Sequence, residues 1–350
     1  MRQVHTAVLG ASGFAGGELI RLLAAHPVFV VSFLGGASSA GAELAEAQPH
    51  LRHLPAASLP IRPLDPAAIA EEADLAFSAL PHGEVAGIAP ALLEAGCTLV
   101  DLSGDFRLDA ADYPEWYGFD HPASAWIDKA VYGLPELFAD RLPGARLVAN
   151  PGCFPTPVIL GCAPLITSGL IGPGGSIRVD GKTGLSGAGR TGAEPASFAA
   201  TADAIRPYRA PRHQHTPEME RGLELATGIP SSVSFVPPLV PAVRGVLTTA
   251  TTTLQAGATT ESLTARLAAA YADRPFVRVL PAGGMADTKR TRGTNLVELQ
   301  AIADERTGTA IVIGALDNLV KGAAGQAIQN ANLAYGLAED TGLPTVGVYP

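Results

Sequence analysis

The sequence predicts an α/β protein, in which a doubly wound parallel-sheet dinucleotide-binding domain is joined to an α+β domain with a mostly antiparallel sheet. In the first half of the chain, short apolar runs alternate with helical runs, an order typical of a parallel sheet. The first apolar run breaks directly into a glycine-rich turn and a helical run, as at a dinucleotide site. After Cys153 the runs are rich in β-branched residues and lose this alternation, which indicates an antiparallel sheet. A length of 350 residues accommodates two domains.

Composition argues against several classes of protein. The net charge is −9 and the basic residues form no dense cluster, so nucleic-acid binding is not predicted. The three cysteines form no CxxC pair, which argues against structural disulfides and a zinc site and favours a reducing compartment. The sequence shows neither a signal peptide nor an apolar run of membrane-spanning length. We therefore expect a cytoplasmic protein that binds no metal, nucleic acid or membrane.

The first element is a strand at Val4–Leu9, followed by a glycine turn and a helix over residues 17–25. In a phosphate-binding loop, glycines permit the tight turn, the close approach of a pyrophosphate and the packing of helix on strand. An ordinary strand-to-helix turn is the alternative. The cofactor-binding residues predicted in this turn are Gly10, Ser12, Gly13, Phe14, Ala15 and Gly16.

The second strand, residues 28–34, bears on the choice between NAD and NADP. NAD-specific sites usually end this strand with an acidic residue that binds the ribose 2′-hydroxyl. Here the strand runs into a loop with Ser38 and Ser39 and no acidic side chain. Hydroxyl groups can donate hydrogen bonds to a 2′-phosphate, so NADP is favoured over NAD, although the loop contains no arginine.

Two further predicted strands, residues 75–80 and 98–102, complete the parallel pattern, with a helix over residues 85–95 between them. Ligands of such sheets bind at the carboxyl ends of the strands. The segments at that edge are Leu80-Pro81-His82-Gly83 and Ser103-Gly104-Asp105-Phe106-Arg107. Arg107 can bind an anion with two hydrogen bonds. Alternatively, it is a surface residue paired with Asp105 or Asp109.

A thiol at a sharp turn is the strongest chemical signal in the sequence. The segment Asn150-Pro151-Gly152-Cys153 follows a strand-like run and precedes a helical run over residues 157–170. A helix N-terminus lowers the pKa of a nearby thiol, so Cys153 is a candidate nucleophile. A buried structural cysteine is the alternative.

Two polar segments follow. Residues 180–192, after a short strand at 177–179, form a predicted Gly-rich loop whose polar side chains can contact an anionic substrate, unless it is simply a flexible surface loop. The candidates in this loop are Lys182, Ser186, Gly187 and Arg190.

Next, His213 and His215 precede a helix predicted over residues 218–226, with Thr216 as its cap and Pro217 at its first position. A thiol nucleophile needs a partner that takes and returns a proton, so a histidine base is favoured over a metal site.

The second domain is predicted from further strands and helices. The strands are residues 233–236, 246–254, 297–304 and 310–315, and the helices are residues 260–272 and 323–336. An antiparallel sheet of this kind is often a dimerisation surface.

Six segments together resemble the N-acetyl-gamma-glutamyl-phosphate reductases, which belong to the wider aspartate-semialdehyde dehydrogenase-like group. The Pro-Gly-Cys turn, the His-x-His-x-Pro-Glu segment and the late Asn-Leu-Val-Lys-Gly segment are specific to this resemblance, whereas the glycine turn alone is not. The segments are Gly10 to Gly16, Leu80 to Gly83, Asp101 to Arg107, Asn150 to Thr156, His213 to Glu218 and Asp317 to Ala327.

The resemblance implies NADPH-dependent reduction of an acyl phosphate to N-acetyl-glutamate 5-semialdehyde and phosphate, through a thioester on Cys153. It implies that His213 is the base, with His215 as the second candidate, that Asn150 orients the site and that Arg107 binds the reacting phosphate. Asn318 and Lys321 would lie near the nicotinamide. The cofactor domain would then comprise residues 1–152 and 319–350, and the catalytic and dimerisation domain residues 153–318, in a homodimer or homotetramer.

Two departures from the family pattern affect these expectations. Gln214 stands between the histidines where the family often has arginine, so Arg206, Arg209 or Arg212 is expected to supply the anion contact, with Arg209 and Arg212 preferred. The loop after the second strand has only serines where the family often has a basic residue. The competing hypotheses are the homologous reductase of lysine biosynthesis, a carrier-protein-dependent form, aspartate-semialdehyde dehydrogenase, and a non-catalytic dinucleotide sensor.

Overall fold

The computed structural model describes residues 2–172, 176–190 and 201–349. The chain divides into two compact units, Met1–Pro151 with Ala323–Leu343, and Gly152–Gly322 with Pro344–Pro350. The C-terminal tail therefore lies with the second unit, whereas the sequence analysis assigned it to the first. The reason is backbone pairing, since the Asn295 N–H donates to the Pro344 carbonyl at 2.9 Å. The Arg278 guanidinium also donates to the Thr345 carbonyl at 3.4 Å.

The first unit is built on a seven-stranded sheet in the order β3-β2-β1-β4-β5-β7-β6. Every strand pair in it is parallel, as the alternation of strands and helices predicts. Every residue of β4 and β5, in the middle of the sheet, is buried, which is typical of a sheet covered on both faces. The strands are β1 (Val4–Leu9), β2 (Phe29–Gly35), β3 (Ile61–Arg62), β4 (Leu75–Ser78), β5 (Thr98–Asp101), β6 (Val131–Tyr132) and β7 (Leu147–Ala149).

The helices of the first unit connect these strands. Helix α1 begins at Phe14, three residues earlier than predicted, because Gly13 is already its extended N-cap. The Asp65 carboxylate caps α3 by accepting a hydrogen bond from the Ala67 N–H at 3.0 Å. The helices are α1 (Phe14–Leu23), α2 (Leu44–Ala47), α3 (Pro66–Glu72), α4 (Glu84–Glu94), α5 (Tyr113–Trp116), α6 (Pro135–Phe138) and, from the C-terminal segment, α11 (Gly325–Ala334).

The second unit contains an eight-stranded mixed sheet in the order β13-β14-β15-β12-β8-β11-β9, with β10 paired to β8. Its central pairs, β14 with β15, β15 with β12 and β12 with β8, are antiparallel, as predicted. The strands are β8 (Ser176–Thr183), β9 (Arg206–Pro207), β10 (Ser232–Val236), β11 (Pro238–Leu239), β12 (Val246–Thr253), β13 (Val277–Val279), β14 (Val297–Asp304) and β15 (Thr309–Leu316).

Strand β8 corrects one prediction. Residues 180–183 continue the strand, although the sequence analysis placed them in a loop. Gly181 hides the alternating pattern, because the rings of Phe154 and Phe235 fill the space that a side chain would occupy; a Cβ built on Gly181 lies 2.8 Å from both. The rest of the predicted loop is a 3₁₀ turn at Leu185–Ala188, and residues 191 and 192 lie outside the described residues.

Four helices accompany this sheet in the described part of the second unit: α7 (Pro155–Thr167), α8 (His215–Thr227), α9 (Thr260–Ala270) and α10 (Thr288–Thr291). All but the last residue of α7 are buried, which accounts for its apolar sequence. Helix α8 begins at His215 with Gln214 as its N-cap, so the predictions that Thr216 caps the helix and that Pro217 opens it are wrong. The helix starts earlier because the Thr216 N–H already bonds to the His213 carbonyl at 2.8 Å.

Within the described residues, none of the helices combines the length and the apolar character needed to cross a membrane.

Candidate functional site

Two glycines of the turn in the first unit, Gly10 and Gly16, leave no room for a side chain. Gly10 has φ = +84°, and a Cβ built on Gly16 would lie 2.2 Å from the Gly10 carbonyl oxygen. The Gln48 amide braces the turn from outside by donating to the carbonyls of Ala11 at 3.1 Å and Gly13 at 2.8 Å. No side chain caps α1 at Gly13, so the N-terminus of the helix meets the glycine turn without a side-chain cap. This geometry fits a pyrophosphate.

The other predicted residues of the turn differ in exposure. Ser12 and Ala15 are half-buried and Phe14 is exposed. In the loop after β2, Ser38 is exposed, and Ser39 is half-buried with its hydroxyl against Gly36, where a built Cβ would lie 2.4 Å from Ser39 Oγ.

A cationic side chain near the loop after β2, Arg62, was not predicted from the sequence. It lies on β3, in register with Gly35 at the end of β2. Its guanidinium covers the Phe33 ring at 4.5 Å and pairs with Glu72 at 2.5 Å. A two-residue strand separated from β2 by more than twenty residues gave no signal that the two are neighbours.

The carboxyl edge of the parallel sheet carries a set of buried polar groups. The Asp105 carboxylate, which is fully buried, accepts hydrogen bonds from the N–H groups of Gly83 at 2.7 Å and Ala86 at 3.0 Å. It therefore caps α4 from another segment. His82 Nδ1 accepts from the Gly104 N–H at 2.8 Å, while Leu80 is buried and Pro81 is exposed. These bonds fix the two segments that the sequence analysis placed at this edge.

Arg107 is buried, with 4 % of its surface exposed. Its Nε donates to the Asn150 carbonyl at 2.8 Å and its Nη2 to the Leu102 carbonyl at 2.7 Å. Two backbone carbonyls therefore fix the plane of the guanidinium. The alternative of a surface arginine is wrong, because the side chain is enclosed.

Two residues beside Arg107 complete the network. Burial and the neighbouring Asp105 raise the pKa of Asp101, whose carboxylate accepts two hydrogen bonds from Ser103, at 2.7 and 2.9 Å. The Asn150 side chain is fully buried; its Oδ1 accepts from Asn330 at 2.9 Å and its Nδ2 donates to the Ala323 carbonyl at 3.4 Å. Asn330 was not singled out from the sequence.

Cys153 is half-buried and precedes α7, which begins two residues after it at Pro155 and not at residue 157 as predicted. Burial raises the pKa of the other two thiols, Cys97 and Cys162, to about 12, so they are inert by comparison. The ring of Tyr208 lies nearby: burial, followed by the charge of Cys153, raises the pKa of its phenol. Gly322 packs against the thiol residue, since a Cβ built on Gly322 would lie 2.7 Å from Cys153 Cβ.

The two histidines lie beside this turn but differ in exposure. His215 is half-buried, and a Cβ built on Gly152 would lie 2.5 Å from His215 Nε2. His213 is 3 % exposed and its Nδ1 accepts from the His215 N–H at 3.1 Å. Aromatic rings surround His213 within 6.0 Å of its centroid: Phe154, Tyr208, His215 and Phe235.

Asn318 and Ser186 are joined within the second unit. Asn318 Nδ2 donates to Ser186 Oγ at 2.9 Å, and Asn318 Oδ1 accepts from the Gly245 N–H at 2.8 Å. Gly187 is exposed beside them. Lys321 is fully buried within a π-helical turn, Val320–Ala324, with its ammonium group 5.8 Å from the Phe276 ring centroid.

The predicted cationic substrate contacts fall into two groups. Lys182 pairs with Asp180 on one face of β8, whereas Gly181, between them, faces Phe154 on the other. Strand alternation therefore directs Lys182 away from the Phe154 side of the sheet. Arg190, Arg209 and Arg212 are exposed, and Arg209 Nη1 donates to Gln214 at 2.9 Å.

Glu218 and Thr156 also contact the thiol turn and were missed. The Glu218 carboxylate accepts from the Gly152 N–H at 2.7 Å, and the Thr156 hydroxyl donates to the Gly152 carbonyl at 3.0 Å. Both lie within segments that the sequence analysis had singled out. The signal was present in the Pro-Glu and Pro-Thr pairs, but spacing alone does not show which backbone group a side chain contacts.

Comparison with known proteins decides the family. The chain is 46 % identical over 350 residues to N-acetyl-gamma-glutamyl-phosphate reductase of Symbiobacterium thermophilum, covering 99 % of both chains. It is 42 % identical to that of Magnetococcus marinus, covering 100 % of this chain and 99 % of the relative. This chain belongs to the N-acetyl-gamma-glutamyl-phosphate reductase family. The resemblance predicted from the six sequence segments is confirmed.

Two family models also match the chain. "Semialdehyde dehydrogenase, NAD binding domain" matches residues 5–145, and "Semialdehyde dehydrogenase, dimerisation domain" matches residues 153–318. The predicted dinucleotide-binding domain is thereby confirmed, and oligomerisation is supported. As a member of this reductase family, the protein is an oxidoreductase.

Solved structures confirm the fold class. Aspartate semialdehyde dehydrogenase II from Vibrio cholerae, complexed with ASA, superposes with a TM-score of 0.72 at 17 % identity, covering 95 % of this chain and 98 % of that chain. Aspartate semialdehyde dehydrogenase with NADP from Candida albicans gives 0.68 at 19 % identity, with the same coverage of 95 % and 98 %.

Proposed function

We propose that this protein reduces N-acetyl-gamma-glutamyl phosphate with NADPH to N-acetyl-glutamate 5-semialdehyde and phosphate, in arginine biosynthesis. The observation that carries the proposal is the half-buried Cys153 thiol, placed between the N-terminus of α7 and the His215 ring. Relatives at 46 % and 42 % identity over the whole chain bear the name of this reaction. Cys97, Cys153 and Cys162 form no disulfide bonds, which agrees with a reducing, cytoplasmic location.

The chemistry follows from an activated thiol. The Cys153 thiolate attacks the acyl carbon of the substrate, the bond from that carbon to the phosphate oxygen breaks, and inorganic phosphate leaves. Bound NADPH supplies the hydride that reduces the thioester. The resulting thiohemiacetal expels the Cys153 thiolate and yields the aldehyde.

We assign the proton transfers to His215, although the sequence analysis preferred His213. The His215 ring lies against Gly152, next to the thiol residue, and is half-buried, so it can exchange a proton with substrate and solvent. His213 is enclosed by rings, and its Nδ1 already accepts a hydrogen bond from the His215 backbone. His213 therefore orients the first turn of α8.

The glycine turn supports the choice of a dinucleotide, and the region beyond β2 supports NADP. Strand β2 ends at Gly35, with no carboxylate for a ribose 2′-hydroxyl. Ser38 and Ser39 supply hydroxyl groups in the following loop, and Arg62 adds a positive charge on the adjacent strand. The predicted cofactor roles of Leu80, Pro81, His82, Ser186, Gly187, Asn318 and Lys321 remain predictions.

Arginine residues are the natural partners of the two anionic groups of this substrate. Arg107 is held rigidly by two backbone carbonyls, which suits a role in binding the reacting phosphate. One of these carbonyls belongs to Asn150, whose side-chain oxygen accepts a hydrogen bond from Asn330. We assign the substrate carboxylate to the exposed Arg209 and Arg212. Lys182 is left out because it lies on the opposite face of β8 from Gly181.

We further propose that the second sheet forms a homodimer, or a homotetramer built from such dimers. On β12 and β15 the residues alternate between buried and half-exposed, so one face of the sheet is only partly covered. That face carries Leu247, Ile311 and Ile313, which are apolar. A second copy would bury them.

The decisive assay is phosphate-dependent reduction of NADP with N-acetyl-glutamate 5-semialdehyde, beside its one-carbon-longer homologue and aspartate semialdehyde. We expect preference for the first, abolished by Cys153→Ser while NADPH binding is retained. Cys162→Ser is the matched control, because Cys162 is fully buried in α7. Preference for the longer aldehyde would move the protein to the lysine pathway. Absence of activity with all three, or turnover by Cys153→Ser, would refute the proposal.

A further inference from the structure

The residue before the thiol, Gly152, is contacted at its N–H, its carbonyl and its Cα by three other residues of the second unit. Its N–H donates to Glu218 Oε1 at 2.7 Å. Its carbonyl accepts from the Thr156 hydroxyl at 3.0 Å and from the Thr156 N–H at 3.2 Å. The His215 ring covers its Cα. The orientation of the peptide that leads into Cys153 is therefore set by side chains and not by the turn alone.

Glu218 and His215 reach Gly152 from the same helix. Residues three apart on a helix share one face, so the carboxylate and the imidazole both project from the first turn of α8 towards this glycine. Glu218 has no exposed surface. It lies in the first turn of α8, and one of its carboxylate oxygens accepts the Gly152 N–H.

We propose that Glu218 is a positioning residue for the thiol reaction: its carboxylate fixes the Gly152–Cys153 peptide and stabilises His215 as an imidazolium. This inference rests on the proposed function and adds to it a third group, which acts through the other two. When the Cys153 thiol transfers its proton to His215, a positive ring forms beside Glu218. A buried negative charge nearby favours that state and hence the thiolate.

Two other ionisable residues described near the thiol, Tyr208 and His213, do not supply that charge. Burial raises the pKa of the Tyr208 phenol, which keeps it neutral. His213 uses Nδ1 to accept a backbone hydrogen bond. Glu218 is the carboxylate that contacts the thiol turn among the described residues of this unit.

The test compares Glu218→Gln with Glu220→Gln. The glutamine at 218 keeps an oxygen that accepts the Gly152 hydrogen bond but carries no charge. Glu220 is the matched control, because it lies on the same helix and also accepts a backbone hydrogen bond. Its donor is the Val233 N–H of β10, at 2.8 Å, and not the thiol turn. The primary measurement is the rate of Cys153 alkylation by iodoacetamide as a function of pH, followed by peptide mass spectrometry. The second is kcat and KM in the reductase assay.

We expect Glu218→Gln to raise the midpoint of the alkylation profile by about one pH unit and to lower kcat by about 10-fold or more, with KM nearly unchanged. Glu220→Gln should match the wild type in both measurements. Glu218→Ala should show the same alkylation shift with a lower thermal midpoint. If that variant does not fold, Glu218→Gln decides the question.

An alkylation midpoint in Glu218→Gln equal to that of the wild type would overturn the inference, as would equal shifts in the Glu218 and Glu220 variants. Alkylation requires neither substrate nor cofactor. If the wild type fails to reduce the acyl phosphate, the proposed function fails, yet the alkylation profiles still decide the role of Glu218.

Discussion

Substitution of Gly152 by alanine tests whether the His215 ring must lie where the structure places it. The backbone of Gly152 is not in the left-handed region that favours glycine, so alanine adopts it without strain. The only change is a methyl group, whose carbon would lie 2.5 Å from His215 Nε2, 2.8 Å from Cε1 and 2.9 Å from Cδ2.

The size of the effect follows from these distances. Non-bonded heavy atoms are most stable at about 3.5 to 4.0 Å, so the ring has to move by about 1 Å. A displacement of about 1 Å in a catalytic group can reduce a rate by about 100-fold, equivalent to about 3 kcal/mol in the activation barrier. Because the ring is a side chain at the edge of the core, we expect a much smaller change in the free energy of unfolding.

The assay is a double-mutant cycle on kcat with Gly152→Ala, His215→Asn and the pair. If the methyl group acts through His215, the double variant should be no slower than His215→Asn alone. Gly87→Ala is the control, since a Cβ built there meets nothing within 4 Å. Wild-type kcat in Gly152→Ala, or fully additive losses in the cycle, would refute the assignment of His215 as the base.

Three further predictions concern the first unit. Gly16→Ala should weaken NADPH binding by at least about 10-fold in a fluorescence titration, because the new carbon meets the Gly10 carbonyl at 2.2 Å; unchanged affinity would contradict the cradle. Burial lowers the pKa of His26 and His121 from 6.5, so the unfolded state binds protons more readily and the free energy of unfolding should fall as pH drops below about 6.5, measured by urea denaturation; a flat profile would contradict this. Burial raises the pKa of Asp101 from 3.8, so its contribution to stability is lost as pH rises above about 4, and Asp101→Asn should gain stability relative to the wild type at pH 8; an equal difference at pH 4 and pH 8 would contradict it.

Much of the fold was predictable because local pattern and tertiary packing agree. Strands β1 and β14 begin and end at the predicted residues, since their apolar and β-branched runs end at sharp changes of composition. The start of α8 was missed because Gln214 caps it without a side-chain hydrogen bond, so no capping residue marked it. The two-residue strands β3 and β6 were missed because a strand of that length has no period to detect.

The candidate site was predictable only in part. Cys153, Arg107 and the histidines stood out because each side chain suits a known chemical role. Lys182 was proposed as a substrate contact because Gly181 concealed the alternation of β8, and tertiary contacts with Phe154 settle which face it occupies. Hydrogen bonds between distant segments, such as Glu218 with Gly152, leave no trace in composition or spacing.

The thiol turn and the histidine segment pack directly against each other, although more than sixty residues separate them in the sequence. Both segments contact Gly152. Glu218 accepts a hydrogen bond from its N–H, the His215 ring covers its Cα, and the Thr156 hydroxyl donates to its carbonyl. The His215 ring fills the space that a larger side chain at Gly152 would need. The position of the thiol therefore depends on the placement of α8 as much as on its own turn. Substitutions in the two segments should consequently be non-additive, which is why the cycle between Gly152 and His215 tests the geometry more stringently than either single variant.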